Sequence, residues 1–330
     1  MNQTKKLLKN PLSSVAIPLV VLVIVATCVN PNFLSANNIL DLLRNISYSF
    51  IPASALTFMI ISGNLDLSVG AALTFGGMAC GYVMNIFGTG MTGTILGIVI
   101  ALVLCAFIGL CNGVLSVKLG IPTMIATLGM QYVIQGVIYV VTGGNPYYLT
   151  GSALITIGKG SFLGVQYTIW LALVFLLVFH YILGYTTYGR KVMAIGGNIE
   201  ATRLSGVKTD ENRISVYILV STIAGLTGVL YASRMSTAMA NVGDNKALTY
   251  IAGVIIGGNS VYGGRGTIVG TLLGVAIMET ISNALVLMRV TTYWQNLCVG
   301  LIMIFAVSVD ALQNNVKFGK RKKKAVTANG

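Results

Sequence analysis

Apolar stretches of roughly 20 residues recur along almost the whole chain. A helix that crosses about 30 Å of hydrocarbon needs roughly 20 mainly apolar residues. Of the 330 residues, 55% belong to the hydrophobic set and 9% are charged, and this composition is too apolar for a soluble globular domain. The sequence therefore predicts an all-α polytopic membrane protein with one transmembrane domain over residues 1–330 and no separate soluble domain.

Polar breaks, glycines and prolines divide the apolar sequence into about ten predicted transmembrane helices. The predicted helices lie near residues 12–29, 46–62, 67–86, 93–117, 121–142, 166–183, 213–235, 247–261, 267–288 and 294–312. The third and the eighth are short or rich in glycine. Each of these two could instead be broken or re-entrant and lie buried within protein.

The basic residues are distributed unevenly between the two predicted faces of the membrane. With ten crossings and a cytoplasmic N-terminus, the cytoplasmic face receives every Lys and Arg except Arg44, Lys159, Arg234, Lys246 and Arg289. This bias follows the positive-inside rule and predicts that both termini are cytoplasmic. It also accounts for most of the net charge of +13 without a nucleic-acid partner. The basic tail, residues 313–330, is predicted to bind anionic lipid headgroups, with docking of a protein partner as the alternative.

Several motifs of enzymes and metal proteins are missing from the sequence. The five cysteines lie in apolar surroundings without a CxxC pair, which indicates neither a disulfide framework nor a metal site. There is no HExxH, no nucleophile motif and no phosphate-binding GxxxxGK[ST] loop. The sequence thus predicts no catalytic residue, no bound cofactor and no ATP hydrolysis by this chain.

The most polar stretch between predicted helices is the loop 184–212. In it, the polar and small residues Glu200, Ala201, Thr202 and Gly206 lie between the apolar residues Ile199, Leu204 and Val207. This spacing predicts a short amphipathic helix that is presented to a partner rather than to lipid.

Four segments in sequence order resemble the ribose/monosaccharide branch of ABC importer permeases. GRKVMAIGGNIEATRLSGV at 189–207 is similar to the cytoplasmic coupling loop of that family, and SGNLDLSVG at 62–70 is similar to its GGIDLSVG signature. IATLG at 125–129 and IGGNSVYGGRGTIVGT at 256–271 resemble its ATLG segment and its glycine-rich loop. Asn64 replaces the second glycine of the signature, and Gln135 stands where an arginine is usual. These departures bear on the substrate more than on the class.

The resemblance implies a permease that pairs with a second copy or with a homologous permease. It further implies a separate ATP-binding subunit, which uses ATP and Mg, and an extracytoplasmic sugar-binding protein. The chain would then be a multi-pass protein of the bacterial inner membrane that imports a monosaccharide, with ribose favoured. Residues 184–212 would form the coupling loop, and the candidate ATPase-coupling residues in it are Gly189, Arg190, Glu200, Ala201 and Gly206.

Glu279 is the clearest ionisable residue inside a predicted helix, where a charge is costly. Glu279 and Asn283 share one helical face, nearly opposite the glycines Gly266, Gly270 and Gly274. The polar face could line the substrate path. The alternative is that Glu279 forms an interhelical hydrogen bond or is a protonated carboxyl in a packed bundle.

Two further groups of residues are candidates for a substrate path or a gate. Asn64, Asp66 and Ser68 precede the third predicted helix, where capping is the simpler role. Tyr217, Ser221 and Tyr231 form one stripe of the seventh predicted helix, where they could line a path or pack against a neighbour. An ion- or proton-coupled secondary transporter that uses Glu279 and Asp66 is the alternative function.

Overall fold

The computed structural model describes residues 13–291, 293–304 and 308. The predicted lipid-binding tail, 313–330, lies outside these residues. Helices α1 to α13 are Ser13–Val29, Ala36–Ile61, Val69–Phe87, Met91–Gly113, Thr123–Thr142, Ala153–Lys159, Tyr167–Tyr185, Thr187–Gly197, Ile199–Leu204, Thr209–Met235, Lys246–Ile256, Ile268–Leu287 and Tyr293–Ile304. A 3-10 turn (Pro31–Leu34) precedes α2, and a π-helical turn (Val114–Lys118) continues α4.

The strands of the structure are short. Strands β1 (Tyr147–Tyr148) and β4 (Thr237–Ala238) form one antiparallel pair, which ties the end of α5 to the end of α10. Strands β2 (Ser161–Phe162) and β3 (Val165–Gln166) form a second pair before α7. These pairs lie in connections between helices, so the chain is an all-α membrane protein as predicted.

Six helices are long and apolar enough to cross a membrane, namely α3, α4 with its π-helical turn, α5, α7, α10 and α12. All ten predicted segments overlap a helix of the structure. Helix α11 has 11 residues and a length of about 17 Å, which is too short to cross about 30 Å of hydrocarbon alone. The number of crossings and the side of the termini therefore stay predictions.

Helix α2 forms the centre of the bundle and packs against α7, α10, α11 and α12. Every residue from Ser47 to Ile61 is buried. Its polar side chains are buried without loss of hydrogen bonds, because several bond to carbonyls of the same helix. The Ser54 hydroxyl donates to the Ile51 carbonyl at 2.6 Å, and the Thr57 hydroxyl donates to the Ala53 carbonyl at 2.9 Å.

Glycines bring the helices into close contact. On α12, Gly270 and Gly274 lie against the backbone of Gly257 and Gly253, and a methyl group at either α12 position would overlap a carbonyl oxygen. Helix α12 is thus in contact on two sides, with the predicted glycine face against α11 and the opposite face against α2.

Candidate functional site

The polar loop 184–212 folds into two capped helices, α8 and α9. The Thr186 hydroxyl accepts the Gly189 N–H at 3.3 Å, and the Asn198 side chain accepts the Ala201 N–H at 3.0 Å. Each cap satisfies one of the free amides at a helix start. The predicted short helix around Glu200 is present as α9, and α8 is an additional helix.

Four of the five candidate coupling residues point outward. Arg190, Glu200, Ala201 and Gly206 are exposed. Gly206 has a φ of +81°, which favours glycine, and it ends α9 with a bond from its N–H to the Arg203 carbonyl. Nearby, the apolar side chain of Leu204 is 88% exposed. The outer face of α9 is therefore available to another chain.

Gly189, the fifth candidate, is buried and faces α7. A methyl group at this position would overlap the carbonyl oxygens of Ile182 and Leu183. Gly189 therefore fixes α8 close to the end of α7 and is not part of the outer face.

The loop meets the membrane helices at a cluster that we call the glycine junction, made of Ile61, Gly63, Gly196, Gly197, Gly263 and Gly264. The Gly264 N–H donates to the Ile61 carbonyl at 2.8 Å. Gly196 packs beside this bond, and a methyl group there would overlap both the Ile61 carbonyl oxygen and the Gly264 nitrogen. The segments 62–70, 189–207 and 256–271, which carry three of the four family resemblances, thus meet through backbone atoms.

Side chains connect the same region to α12. Asn259 accepts the Thr267 N–H at 2.7 Å and donates to the Thr271 hydroxyl at 2.9 Å. The Thr271 hydroxyl is also hydrogen-bonded to the Thr57 hydroxyl of α2, at 2.6 Å. The end of α2, the α11–α12 loop and the start of α12 consequently form one bonded unit.

Asn64 lies beside the glycine junction and binds the start of α10. The Arg213 guanidinium donates to the Asn64 side-chain oxygen at 2.8 Å, and the Asn64 amide donates to the Ser62 hydroxyl at 2.9 Å. Asn64 is 5% exposed. Its amide, which a glycine would lack, joins the segment before α3 to the segment after the polar loop.

Asp66 is fully buried and receives two hydrogen bonds from Ser68. The Ser68 N–H and hydroxyl donate to one carboxylate oxygen of Asp66, at 2.8 and 2.6 Å, and Asn112 of α4 donates to the Ser68 hydroxyl at 2.9 Å. Burial raises the pKa of the Asp66 carboxyl from its usual 3.8 to about 6, although the bonds from Ser68 oppose the rise. Asp66 therefore holds Ser68, the residue before α3, whereas the predicted capping would bond an amide inside the first turn of the helix.

Of the predicted stripe on α10, Tyr217 and Ser221 are fully buried. The Tyr217 hydroxyl donates to the Ser116 hydroxyl in the π-helical turn of α4 at 3.0 Å, and Ser116 is hydrogen-bonded to Thr123 at 3.0 Å. These contacts pack α10 against α4 and the start of α5. Tyr231, the third member, is half-buried and lies 14 residues further, about 21 Å along the helix.

Glu279 and Asn283 both bind α2. The Ser49 hydroxyl donates to the Glu279 carboxylate at 2.6 Å. The side-chain amides of Asn283 and Asn38 exchange two bonds, of 2.9 and 3.0 Å. The interhelical hydrogen bond that the sequence allowed for Glu279 is present.

Tyr231 belongs to a second cluster, which we call the cation–aromatic cluster and define as Tyr48, Tyr231, Arg234, Lys246 and Glu279. The two tyrosine rings lie 4.7 Å apart. Arg234 lies over the Tyr48 ring and Lys246 over the Tyr231 ring, each 5.0 Å from the centroid, within the range of cation–π attraction. The sequence does not mark Arg234 and Lys246 as candidate site residues, because basic residues at the ends of apolar segments are typical of loops.

The two clusters lie at different levels of the same helices. Ser49, which binds Glu279, precedes Ile61 by 12 residues, a rise of about 18 Å along α2. Within the part of the chain that the structure describes, no group of three or more His, Cys, Asp or Glu side chains could hold a metal ion. The helix bundle therefore has the backbone contacts of the glycine junction at one level and the charged side chains and rings of the cation–aromatic cluster at the other.

The sequence pattern of the family described as "Branched-chain amino acid transport system / permease component" matches residues 38–307. The chain is 35% identical to the ribose import permease of Escherichia coli strain K12 over 298 residues, 89% of this chain and 92% of that protein. The ribose import permease of Bacillus subtilis strain 168 is 36% identical over 297 residues, 88% of this chain and 90% of that protein.

An L-arabinose ABC transporter permease of Azospirillum brasilense is 34% identical over 285 residues, 86% of this chain and 83% of that protein. No solved structure was found to match. Permease subunits of ABC importers are not enzymes, since a separate ATPase subunit hydrolyses ATP. The matched family, the ribose- and arabinose-type relatives and the apolar helices together show that the chain belongs to the permease components of monosaccharide ABC importers, as a multi-pass protein of the bacterial inner membrane.

Proposed function

We propose that this chain imports a ribose-like monosaccharide by alternating access and that residues 185–212 couple this movement to an ATPase subunit. The observation that carries the coupling proposal is the glycine junction, where α8, α2 and the α11–α12 loop touch through backbone atoms. The relatives named for ribose and for L-arabinose support the sugar class.

The coupling mechanism begins at the exposed face of α9. An ATP-binding subunit would contact Glu200, Ala201 and Leu204 there, and closure of its nucleotide sites would displace α8 and α9. Because Gly196 leaves no space between its Cα and the Ile61 carbonyl, a displacement of α8 is passed to α2 without loss in a flexible side chain. Packed interfaces of this kind switch between discrete arrangements rather than deforming gradually. Nucleotide would then bias two states of the bundle.

The proposed assembly contains this chain, an ATP-binding subunit that uses ATP and Mg, and an extracytoplasmic sugar-binding protein. A second permease copy or a homologous permease would complete the membrane part. The basic tail would bind anionic lipid. This chain would bind no cofactor.

A carboxylate-coupled secondary transporter is less consistent with the contacts. Asp66 is bonded to the start of α3, just after the end of α2, whereas Glu279 is bonded to Ser49, about 18 Å before that end. The two carboxylates therefore do not form one ion site.

The decisive test is ATPase activity of the purified complex in lipid, with this chain co-expressed with its ATP-binding and sugar-binding partners. Addition of the binding protein with one sugar of a monosaccharide panel should stimulate ATP hydrolysis and drive uptake into vesicles. Uptake by this chain alone, without any copurified ATPase, would refute the proposal and favour the secondary transporter.

A further inference from the structure

The cation–aromatic cluster contains two basic side chains without a carboxylate partner. In the described part of the chain, the ion pairs within 4.0 Å are Arg44–Asp41 and Lys208–Glu211, and neither includes Arg234 or Lys246. Arg234 donates to the neutral side chain of Asn45 at 3.0 Å. Neutral amides and ring faces orient these cations without neutralising them.

The nearby carboxylate cannot balance both charges. Glu279 accepts the Ser49 hydroxyl, 2.6 Å away, and lies more than 4.0 Å from either basic group. Even when Glu279 is ionised, two cations and one anion leave one positive charge. Charges inside a membrane bundle are costly and occur where they serve a bound ion, a partner or a transported substrate.

Four of the five members of the cluster are partly exposed. Tyr231, Arg234, Lys246 and Glu279 are half-buried, whereas the Tyr48 ring behind them is fully buried. The four half-buried side chains come from α10, α11 and α12, so they form a surface between helices and not the tip of one loop. Both cations therefore keep part of their surface exposed where these helices meet.

We propose that the cation–aromatic cluster recognises the carboxylate of a sugar acid, so that the imported ligand is a ribose-sized sugar with a single negative charge. This inference rests on the proposed function and specifies its substrate class. One carboxylate matches the one uncompensated positive charge, and Arg and Lys donors form strong charge-assisted bonds with carboxylate oxygens. A neutral sugar leaves this charge unbalanced.

The test compares D-ribose with D-ribonate, and L-arabinose with L-arabonate. Each pair has the same carbon chain and the same hydroxyl configuration, and the acid carries a carboxylate at C1 and is open-chain. ATP-driven uptake of each is measured with the complete transporter in vesicles. The carboxylate form should be taken up at least about tenfold faster than its neutral partner. Lys246→Gln and Arg234→Gln should each lower uptake of the carboxylate form by at least about tenfold.

Two control variants separate recognition from folding and from surface charge. Lys246→Arg keeps the charge and should retain most of the uptake. If Lys246 served only to pack the structure, the differently shaped arginine would not restore uptake. Lys159→Gln removes an exposed basic residue from the same predicted side of the membrane and should leave uptake unchanged. The amount of each variant in the membrane is measured alongside.

The outcomes distinguish this inference from the proposed function. ATP-driven uptake of neutral sugars alone, equal in the wild type and in Lys246→Gln, would overturn the anionic substrate and leave the proposed function intact. If Lys246→Gln no longer binds the sugar-binding protein but keeps the same sugar preference, the cations bind that protein. This result would also overturn the anionic substrate. Absence of any ATP-dependent uptake would overturn both.

Discussion

The glycine junction and the cation–aromatic cluster are connected by α2, α10, α11 and α12, yet they are built differently. At the junction, contact is made by backbone atoms around Gly196, and no side chain separates the polar loop from α2. At the cluster, contact is made by long polar side chains over aromatic rings. A backbone contact transmits position independently of any ligand, whereas side chains such as Lys246 can change their partners. The backbone contact of the glycine junction fits the proposed transfer of movement, and the side chains of the cation–aromatic cluster fit the proposed recognition of a ligand.

The largest effect is expected from breaking the junction with Gly196→Val. The added side chain overlaps the Ile61 carbonyl oxygen, which belongs to a buried helix end and has no room to move. Overpacking of this kind costs about 3 kcal/mol, which lowers the folding equilibrium constant by about 100-fold. Because the contact that carries the proposed coupling is displaced, uptake per folded transporter should also fall by about 100-fold. The measurements are uptake and thermal unfolding.

The matched control is Gly197→Ala, at the next residue. A methyl group at Gly197 meets no atom within 4 Å, so activity close to wild type is expected. Equal uptake by the two variants would show that the close approach at Gly196 does not matter for coupling.

The buried carboxylate beside the junction should make stability depend on pH. The folded-state pKa of Asp66 is raised from 3.8 to about 6, so its contribution is present below the lower value and is lost as pH rises through the higher one. The wild type should lose about 3 kcal/mol of unfolding free energy over this interval, and Asp66→Asn should not. Thermal unfolding across this pH range measures the difference. Asp210→Asn, at an exposed position, should keep the wild-type dependence, and a wild-type profile in Asp66→Asn would contradict the assignment.

A smaller effect is expected from the outer face of α9. Glu200→Lys reverses a charge in the proposed contact with the ATPase subunit and should lower uptake per ATP hydrolysed by roughly fivefold, since interface charges alter association more than folding. Glu211→Lys makes the same change at another exposed first-turn position, where only the surface pair with Lys208 is lost. Wild-type uptake per ATP in Glu200→Lys would exclude this face from coupling.

The smallest effect should come from the bond between Asn64 and Arg213. A double-mutant cycle of Asn64→Ala and Arg213→Ala should give a coupling free energy of about 1 kcal/mol in unfolding. This coupling is expected because the charged Arg213 guanidinium donates directly to the Asn64 side-chain oxygen at 2.8 Å. Additive single effects would mean that the pair does not connect α10 to the loop before α3.

Apolar length predicted the helices well, because hydrophobicity is a local property of the sequence. The start of α2 was predicted about ten residues late, since Asn38, Asp41 and Arg44 make its first turns polar. These turns are helical because α2 is bound by α12 and by the preceding 3-10 turn, through Asn283 and Phe33. A hydropathy pattern cannot detect such tertiary contacts.

The two clusters were less predictable than the helices. The resemblance identifies the glycine segments, but their meeting point depends on Ile61 and Gly196, which are 135 positions apart in sequence. Glycine has no side chain that would indicate a partner. Lys246 and Arg234 were counted only as charges for topology. Their position over Tyr231 and Tyr48 follows from the packing of α2, α10 and α11, which no local pattern encodes.

The glycine junction also affects how such a transporter can change over time. Since its closest contacts are formed by main-chain atoms, a side chain at Gly196, Gly263 or Gly264 would meet backbone atoms, and these three positions tolerate few substitutions. The far end of the same helices is lined by side chains that can be exchanged one at a time. Under the proposed roles, a new substrate specificity would arise from exchanges at that end, while the backbone contact of the coupling loop is inherited unchanged.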